Sequence, residues 1–119
     1  MAEILVLDDV FDAVLLIRKI LERKGHTLHT FTEEEEALAF ASAQPLDLAI
    51  LDIKLKKMSG IQVLEKLRQI NAGIKAIMLT GYPTIETARQ ALELGAAAYC
   101  VKPIDKQELE EKVEQVLNG

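Results

Sequence analysis

Short aliphatic runs punctuate this chain, and each stops at a polar residue. Ile4-Leu5-Val6-Leu7 ends in Asp8-Asp9, and Leu46-Asp47-Leu48-Ala49-Ile50-Leu51 ends in Asp52. Ala76-Ile77-Met78-Leu79 ends in Thr80, and Ala98-Tyr99-Cys100-Val101 ends in Lys102-Pro103. Unbroken runs of this length read as strands buried on both faces. A fifth, less apolar stretch, Thr27 to Phe31, has the character of an edge strand.

Between the strands the apolar spacing changes to that of helices. The first strand, Glu3 to Leu7, is followed by a helix over Val10 to Lys24 that stops at Gly25. Its core stripe is read as Ala13, Leu16, Ile17, Ile20 and Leu21. Phe11 and Leu15, four residues apart, point away from that stripe. They are either stray surface apolars or a docking patch. Thr32 with Glu35 predicts a capping box for a second helix, Glu33 to Ala43. The acids Glu33 to Glu36 read as a solvated helix start that suits the dipole. Pro45 turns the chain into the third strand.

The loop Ile53 to Gly60 leads to a third helix, Gly60 to Asn71, capped by Ser59 with Gln62. Val63, Leu64, Leu67 and Ile70 form its buried stripe, and Gly73 ends the unit. Lys75 to Leu79 is the fourth strand. Gly81 and Pro83 precede a fourth helix, Thr84 to Leu94, with Gly95 as its stop. The fifth strand is Ala98 to Val101, and Asp105 with Glu108 caps the last helix, Lys106 to Leu117.

Five strands alternating with five helices predict a parallel sheet with helices on both faces. In a parallel sheet the carboxyl ends of the strands share one edge, where open α/β sheets bind ligands. Asp8, Asp9, Asp52, Thr80 and Lys102 all fall on that edge. Five separate positions become one candidate site of three carboxylates, a hydroxyl and an ammonium.

Composition narrows the chemistry. The chain has 119 residues, half of them hydrophobic, with three Phe and two Tyr, so the core is aliphatic. It reads as one domain, 1–119. A net charge of −5 argues against nucleic-acid binding through bulk charge. A single Cys excludes an internal disulfide and fits a reducing compartment. The start lacks the basic segment of a signal peptide, and no stretch is long enough to span a bilayer, so the expected address is the cytoplasm.

Clustered carboxylates need a cation, and oxygen-only ligands select a hard one, Mg²⁺ or Mn²⁺. A hard metal, a Lys and a hydroxyl on one edge suit a phosphoryl group. A carboxylate in that setting can act as a nucleophile and form an aspartyl phosphate. Gly81 leaves room for a backbone N–H to approach an oxyanion. Singly, these residues have ordinary readings: Asp8 as a helix cap, Thr80 as a turn residue, Lys102 as a surface charge, Tyr99 as a half-buried strand aromatic.

Taken in this order, the motifs resemble the receiver domain of two-component response regulators. The match runs from Asp8-Asp9 through Asp52, Met58-Ser59-Gly60, Thr80-Gly81 and Gly95-Ala96-Ala97-Ala98-Tyr99 to Lys102-Pro103. The resemblance implies a flavodoxin-like, doubly wound (βα)5 fold with strand order 2-1-3-4-5. It implies that Asp52 takes a phosphoryl group from a phosphohistidine of a sensor histidine kinase or phosphotransfer protein. Asp9, Asp52 and the Lys54 backbone carbonyl would ligate the metal, with Asp8 helping through water. Lys102 would pair with the phosphoryl group and Thr80 would move toward it. Tyr99 would follow inward, reshaping the face of helix four, strand five and helix five for an output domain or target protein, or for a dimer. The Lys102–Pro103 bond would be cis. The chain would equally serve as the N-terminal part of a longer response regulator.

Two departures from the family pattern stand out. Val10 occupies a position that is often acidic, and Lys56 one that is often proline. Lys54 and Tyr82 flank the phosphoryl position and are expected to set the lifetime of the aspartyl phosphate. Three rival readings compete with this one. An Asp-based phosphatase or mutase would want a second Asp where Lys54 stands. A flavin domain would want a phosphate loop where Asp8-Asp9 stand. A receiver-like module that binds without switching would not need the whole set.

Overall fold

The computed structural model describes residues 1–119. Five parallel strands form one sheet: β1 (Glu3–Leu7), β2 (Thr27–Phe31), β3 (Leu48–Asp52), β4 (Lys75–Thr80) and β5 (Ala98–Val101). Their order is β2-β1-β3-β4-β5, the flavodoxin-like arrangement. Five helices connect and follow them: α1 (Phe11–Glu22), α2 (Glu34–Ala43), α3 (Gly60–Ile70), α4 (Ile85–Glu93) and α5 (Lys106–Asn118).

The unbroken aliphatic runs are explained by two cores, one on each face of the sheet. Successive strand side chains point to opposite faces. Ile4, Val6, Leu48, Ile50, Ile77 and Leu79 pack with α1 and α5. Leu5, Leu7, Ala49, Leu51, Ala76 and Met78 pack with α2, α3 and α4. Every position along β1, β3 and β4 therefore gains from being apolar until the strand ends. No helix is long and apolar enough to cross a membrane.

Several local expectations need correction. On α1 the buried residues are Val14, Ile17, Ile20 and Leu21, while Leu16 is exposed with Phe11 and Leu15. Residues 13 to 17 are all apolar, so periodicity cannot choose the buried face there. Ile70, the last residue of α3, is exposed because the helix runs past the core at its end. The Thr32–Glu35 capping box does not form; α2 starts at an N-cap Glu33 with no side-chain cap. Glu34, expected in solvent, is 1% exposed. The other caps form as read: Ser59 with Gln62, and Asp105 accepting from the Glu108 amide. Thr84 pairs with Thr87 in a further capping box on α4. Gly25 and Gly95 end their helices at φ values of 90° and 75°, in the left-handed region that favours glycine.

Candidate functional site

From β1 the chain crosses outward to β2 and returns on the other side to β3. The carboxyl ends of β1 and β3 thus flank the point where the winding reverses, the usual ligand crevice of such sheets. Asp8 and Asp9 leave β1 there, and Asp52 is the last residue of β3. Their carboxylate oxygens lie within 4.8 Å of one another.

Asp8 is fully buried. Its Oδ2 accepts from the Lys102 Nζ at 2.5 Å, and its Oδ1 accepts from the Val10 amide at 2.9 Å. The second bond closes a turn instead of capping α1, whose N-cap Val10 has no side-chain partner. Lys102 also donates to Asp52 Oδ2 at 3.3 Å. The ammonium, itself partly buried, therefore bridges two carboxylates from strands that are sequence-distant. Asp52 Oδ1 has only a long contact, 3.4 Å, from the Lys54 amide.

Burial, then the neighbouring Asp8 carboxylate, push the Asp52 carboxyl up from 3.8 to about 6; Lys102 opposes them. Burial tends to lower Lys102, but its bonds to Asp8 and Asp52 win and raise it. Shared between two carboxylates, the ammonium is itself held firmly and offsets only part of the burial and repulsion at Asp52. Three carboxylates and one ammonium leave two negative charges uncompensated. That balance and the oxygen-only donor set fit a hard divalent cation.

Thr80 ends β4 beside this cluster. It is buried, and its Oγ1 accepts from the Tyr82 amide at 3.0 Å. The Lys102 amide donates to the Thr80 carbonyl at 2.7 Å, which sets the two strand ends side by side. Tyr99 is not part of the cluster: half-buried, it hydrogen-bonds through its hydroxyl to Thr87 Oγ1 at 3.0 Å. The Lys102–Pro103 peptide bond is cis. Lys54 Nζ sits 4.6 Å from the centre of the Tyr82 ring. Cys100 is buried in the core, outside the cluster, and burial pushes its thiol up.

Two residues that matter here were not read as site residues. Gly60 reads from the sequence as a helix start and as part of the Met58-Ser59-Gly60 motif, with no stated role in the site, yet a Cβ on it would lie 2.1 Å from the Asp52 carbonyl oxygen. Glu34 reads from the sequence as solvated, yet its carboxylate reaches the loop after Asp52, accepting from the Lys57 and Met58 amides at 2.6 and 3.1 Å. Neither role is local, so spacing along the chain carries no signal of it.

Comparison with known proteins points one way. A family model described as the response regulator receiver domain matches residues 4–114. The transcriptional regulatory protein ZraR of Escherichia coli is 30% identical over 97% of this chain, which spans 26% of that protein. The alkaline phosphatase synthesis transcriptional regulatory protein PhoP of Bacillus subtilis is 37% identical over 97% of this chain, which spans 48% of it. The chain thus covers between a quarter and a half of these relatives' lengths. Among solved structures, the CheY-like receiver domain protein of Methanospirillum hungatei superposes with a TM-score of 0.94 at 35% identity, covering 99% of this chain and 94% of that one.

Proposed function

Since this chain belongs to the response regulator receiver domain family, we propose that Asp52 is its phosphoacceptor and that Asp8, Asp9, Thr80 and Lys102 are the groups that make it one. The observation that carries this reading is Asp52 itself. It is a nearly buried carboxylate beside two others, with one oxygen on Lys102 and the other almost free. Such a carboxylate is basic enough to be a good nucleophile and still ionised at neutral pH.

In the proposed reaction an Asp52 oxygen forms a bond to phosphorus as the N–P bond of a phosphohistidine breaks. The electron pair stays on the imidazole nitrogen. Water later attacks the same phosphorus, releasing inorganic phosphate and restoring the carboxylate. The chain thus catalyses only its own phosphoryl transfer and hydrolysis. Asp9, Asp52 and the Lys54 carbonyl would hold Mg²⁺, with Asp8 assisting through water, and the ion would supply positive charge against the phosphoryl oxygens. Lys102, already 3.3 Å from Asp52 Oδ2, stays to pair with the phosphoryl group. Thr80 exchanges its bond to the Tyr82 amide for one to that group. Tyr99 then leaves Thr87 and turns inward, changing the surface of α4, β5 and α5, a two-state population shift.

Receiver domains work with histidine kinases and output domains. For this chain the kinase or phosphotransfer protein is the donor, and an output domain or separate target reads the α4–β5–α5 face. The reading places the reaction in the cytoplasm. The test is incubation with acetyl phosphate and Mg²⁺. Wild type gains one phosphoryl group, trapped by borohydride as homoserine at position 52, and D52N gains none. A stable, folded wild type that takes no phosphoryl group with Mg²⁺ present would refute the assignment.

A further inference from the structure

Acidic residues in the first turn of a helix ordinarily face water, and Glu33, Glu35 and Glu36 do so. Glu34 does not. It is 1% exposed, and one of its oxygens, Oε2, accepts from two consecutive backbone amides of the loop after β3, Lys57 at 2.6 Å and Met58 at 3.1 Å. Burying a carboxylate is expensive unless strong donors meet it. Burial would raise Glu34, but bonds from its own amide and those of Lys57 and Met58, helped by the Lys57 charge, hold it below the usual carboxylate range. A charged acceptor on two backbone donors is among the stronger hydrogen-bond arrangements.

The target of this clamp gives it meaning. The loop begins one residue after Asp52 and is closed by the Gly60 amide donating to the Ile53 carbonyl at 2.7 Å. Between these points run Lys54, whose amide contacts Asp52, and the two residues that Glu34 grips. Without Glu34, two amides at the crest of the loop lose their acceptor, and the stretch 54–58 is tied down only at its ends. We propose that Glu34 is a positioning residue of the Asp52 site, its carboxylate fixing the loop so that the Lys54 main chain stands next to Asp52. The inference rests on the reading of Asp52, Asp9 and the Lys54 carbonyl given above, and adds a residue from a helix that carries none of those groups.

The experiment compares wild type, E34A, E34Q and E34D, each with its thermal melt. Amide hydrogen exchange is read at Lys57 and Met58 without metal, Mg²⁺ affinity by NMR titration, and the initial rate with acetyl phosphate at saturating Mg²⁺. E34A is expected to exchange those two amides about tenfold faster and to need about tenfold more Mg²⁺, as supporting hydrogen bonds around metal ligands usually dictate. Its rate at saturating Mg²⁺ recovers most of the loss. E34Q keeps an oxygen acceptor and returns to within about threefold of wild type. Should E34A not fold, E34D carries the test: it keeps the charge, falls short by one methylene, and is expected to move in the same direction. Unchanged exchange and Mg²⁺ affinity in E34A or E34D overturn the proposal, and so does an E34Q as weak as E34A, because charge alone would then be the cause. A wild type that binds no Mg²⁺ and takes no phosphoryl group sinks the underlying site reading; an active wild type beside an indifferent E34A sinks this inference alone.

Discussion

Two loops leave the sheet on either side of Asp52, and a cavity of about 490 Å³ opens between them. The loop after β3 is tied at each stage: the Ile53 carbonyl to the Gly60 amide, Lys57 and Met58 to Glu34, and Ser59 to Gln62 in a capping box. The loop after β4 is tied at its base, where the Tyr82 amide meets Thr80 Oγ1, and at Thr84, where α4 is capped. Between those points Tyr82 is 71% exposed and Gly81 has nothing within 4 Å of where a Cβ would be. One wall of the site is thus built to hold a geometry, and the other to change one. Metal ligands need fixed positions. A switch needs an element with two arrangements of similar energy. The proposed metal ligand Lys54 lies on the first loop and the proposed switch residue Thr80 at the base of the second.

The sharpest way to break this contrast is Gly60→Ala. Gly60 is the first residue of α3. Propensity alone predicts that Ala would stabilise the helix by up to about 1 kcal/mol. The contact says the opposite: the new methyl would stand 2.1 Å from the Asp52 carbonyl oxygen and 3.0 Å from the Ile53 Cα. Both are backbone atoms that cannot swing aside. We expect a loss of about 3 kcal/mol, the upper range for overpacking, read as a fall in the urea midpoint at unchanged slope. A neutral or stabilised variant would mean the first loop is as yielding as the second.

Next in size is Asp52→Asn. With its carboxyl raised to about 6 against 3.8 in a free chain, native Asp52 holds a proton that the unfolded chain has released between those values. Its contribution to metal-free stability therefore falls as pH rises through that window, and the penalty is complete above the upper value. D52N should be more stable than wild type by about 2 kcal/mol at pH 7.5, with the gap about halved near pH 5 and closed below about pH 4. Measuring the difference between the two proteins cancels the other carboxylates. A gap that does not shrink on acidification would show that the strain at Asp52 is not electrostatic.

A smaller effect tests the contact between the loops. Lys54 Nζ over the Tyr82 ring joins the held side to the open one. An exposed cation–π pair contributes about 0.5–1 kcal/mol. Lys54→Ala and Tyr82→Ala should each change the autodephosphorylation rate by about two- to fivefold, and the double mutant should show the same coupling instead of the sum. If both single variants keep the wild-type lifetime, the pair does not shield the phosphoryl position.

How legible this contrast is from sequence follows from the range of the forces involved. The parallel sheet and the residues at its carboxyl edge were readable because strand burial on two faces demands aliphatic runs, and each run had to stop where a polar group begins; the strand order came only with the family resemblance. Asp8, Asp9, Asp52, Thr80 and Lys102 mark those stops. The buried face of α1 was misread because residues 13 to 17 are all apolar, and only packing against α5 and the sheet decides that Val14 goes in and Leu16 stays out. Glu34 was illegible because four adjacent glutamates look alike until the loop after β3 folds over one of them. The Thr87–Tyr99 bond likewise joins residues that no local pattern relates.

The smallest predicted effect is the most discriminating. Gly81 follows Thr80 directly, and in sequence it looks as indispensable as Gly60. Nothing lies within 4 Å of a Cβ placed there, and its φ is not in the left-handed region. An alanine therefore meets neither a neighbour nor a forbidden backbone, and the loss of unfolded-chain freedom slightly favours the native state. Gly81→Ala should leave stability within about 0.5 kcal/mol of wild type. Whatever it does should appear in the proposed phosphorylated state instead, where the backbone beside Thr80 would meet the new oxygens. A destabilised metal-free G81A would show that the second loop is packed after all, and the division of the site into a held wall and an open one would fail at its simplest point.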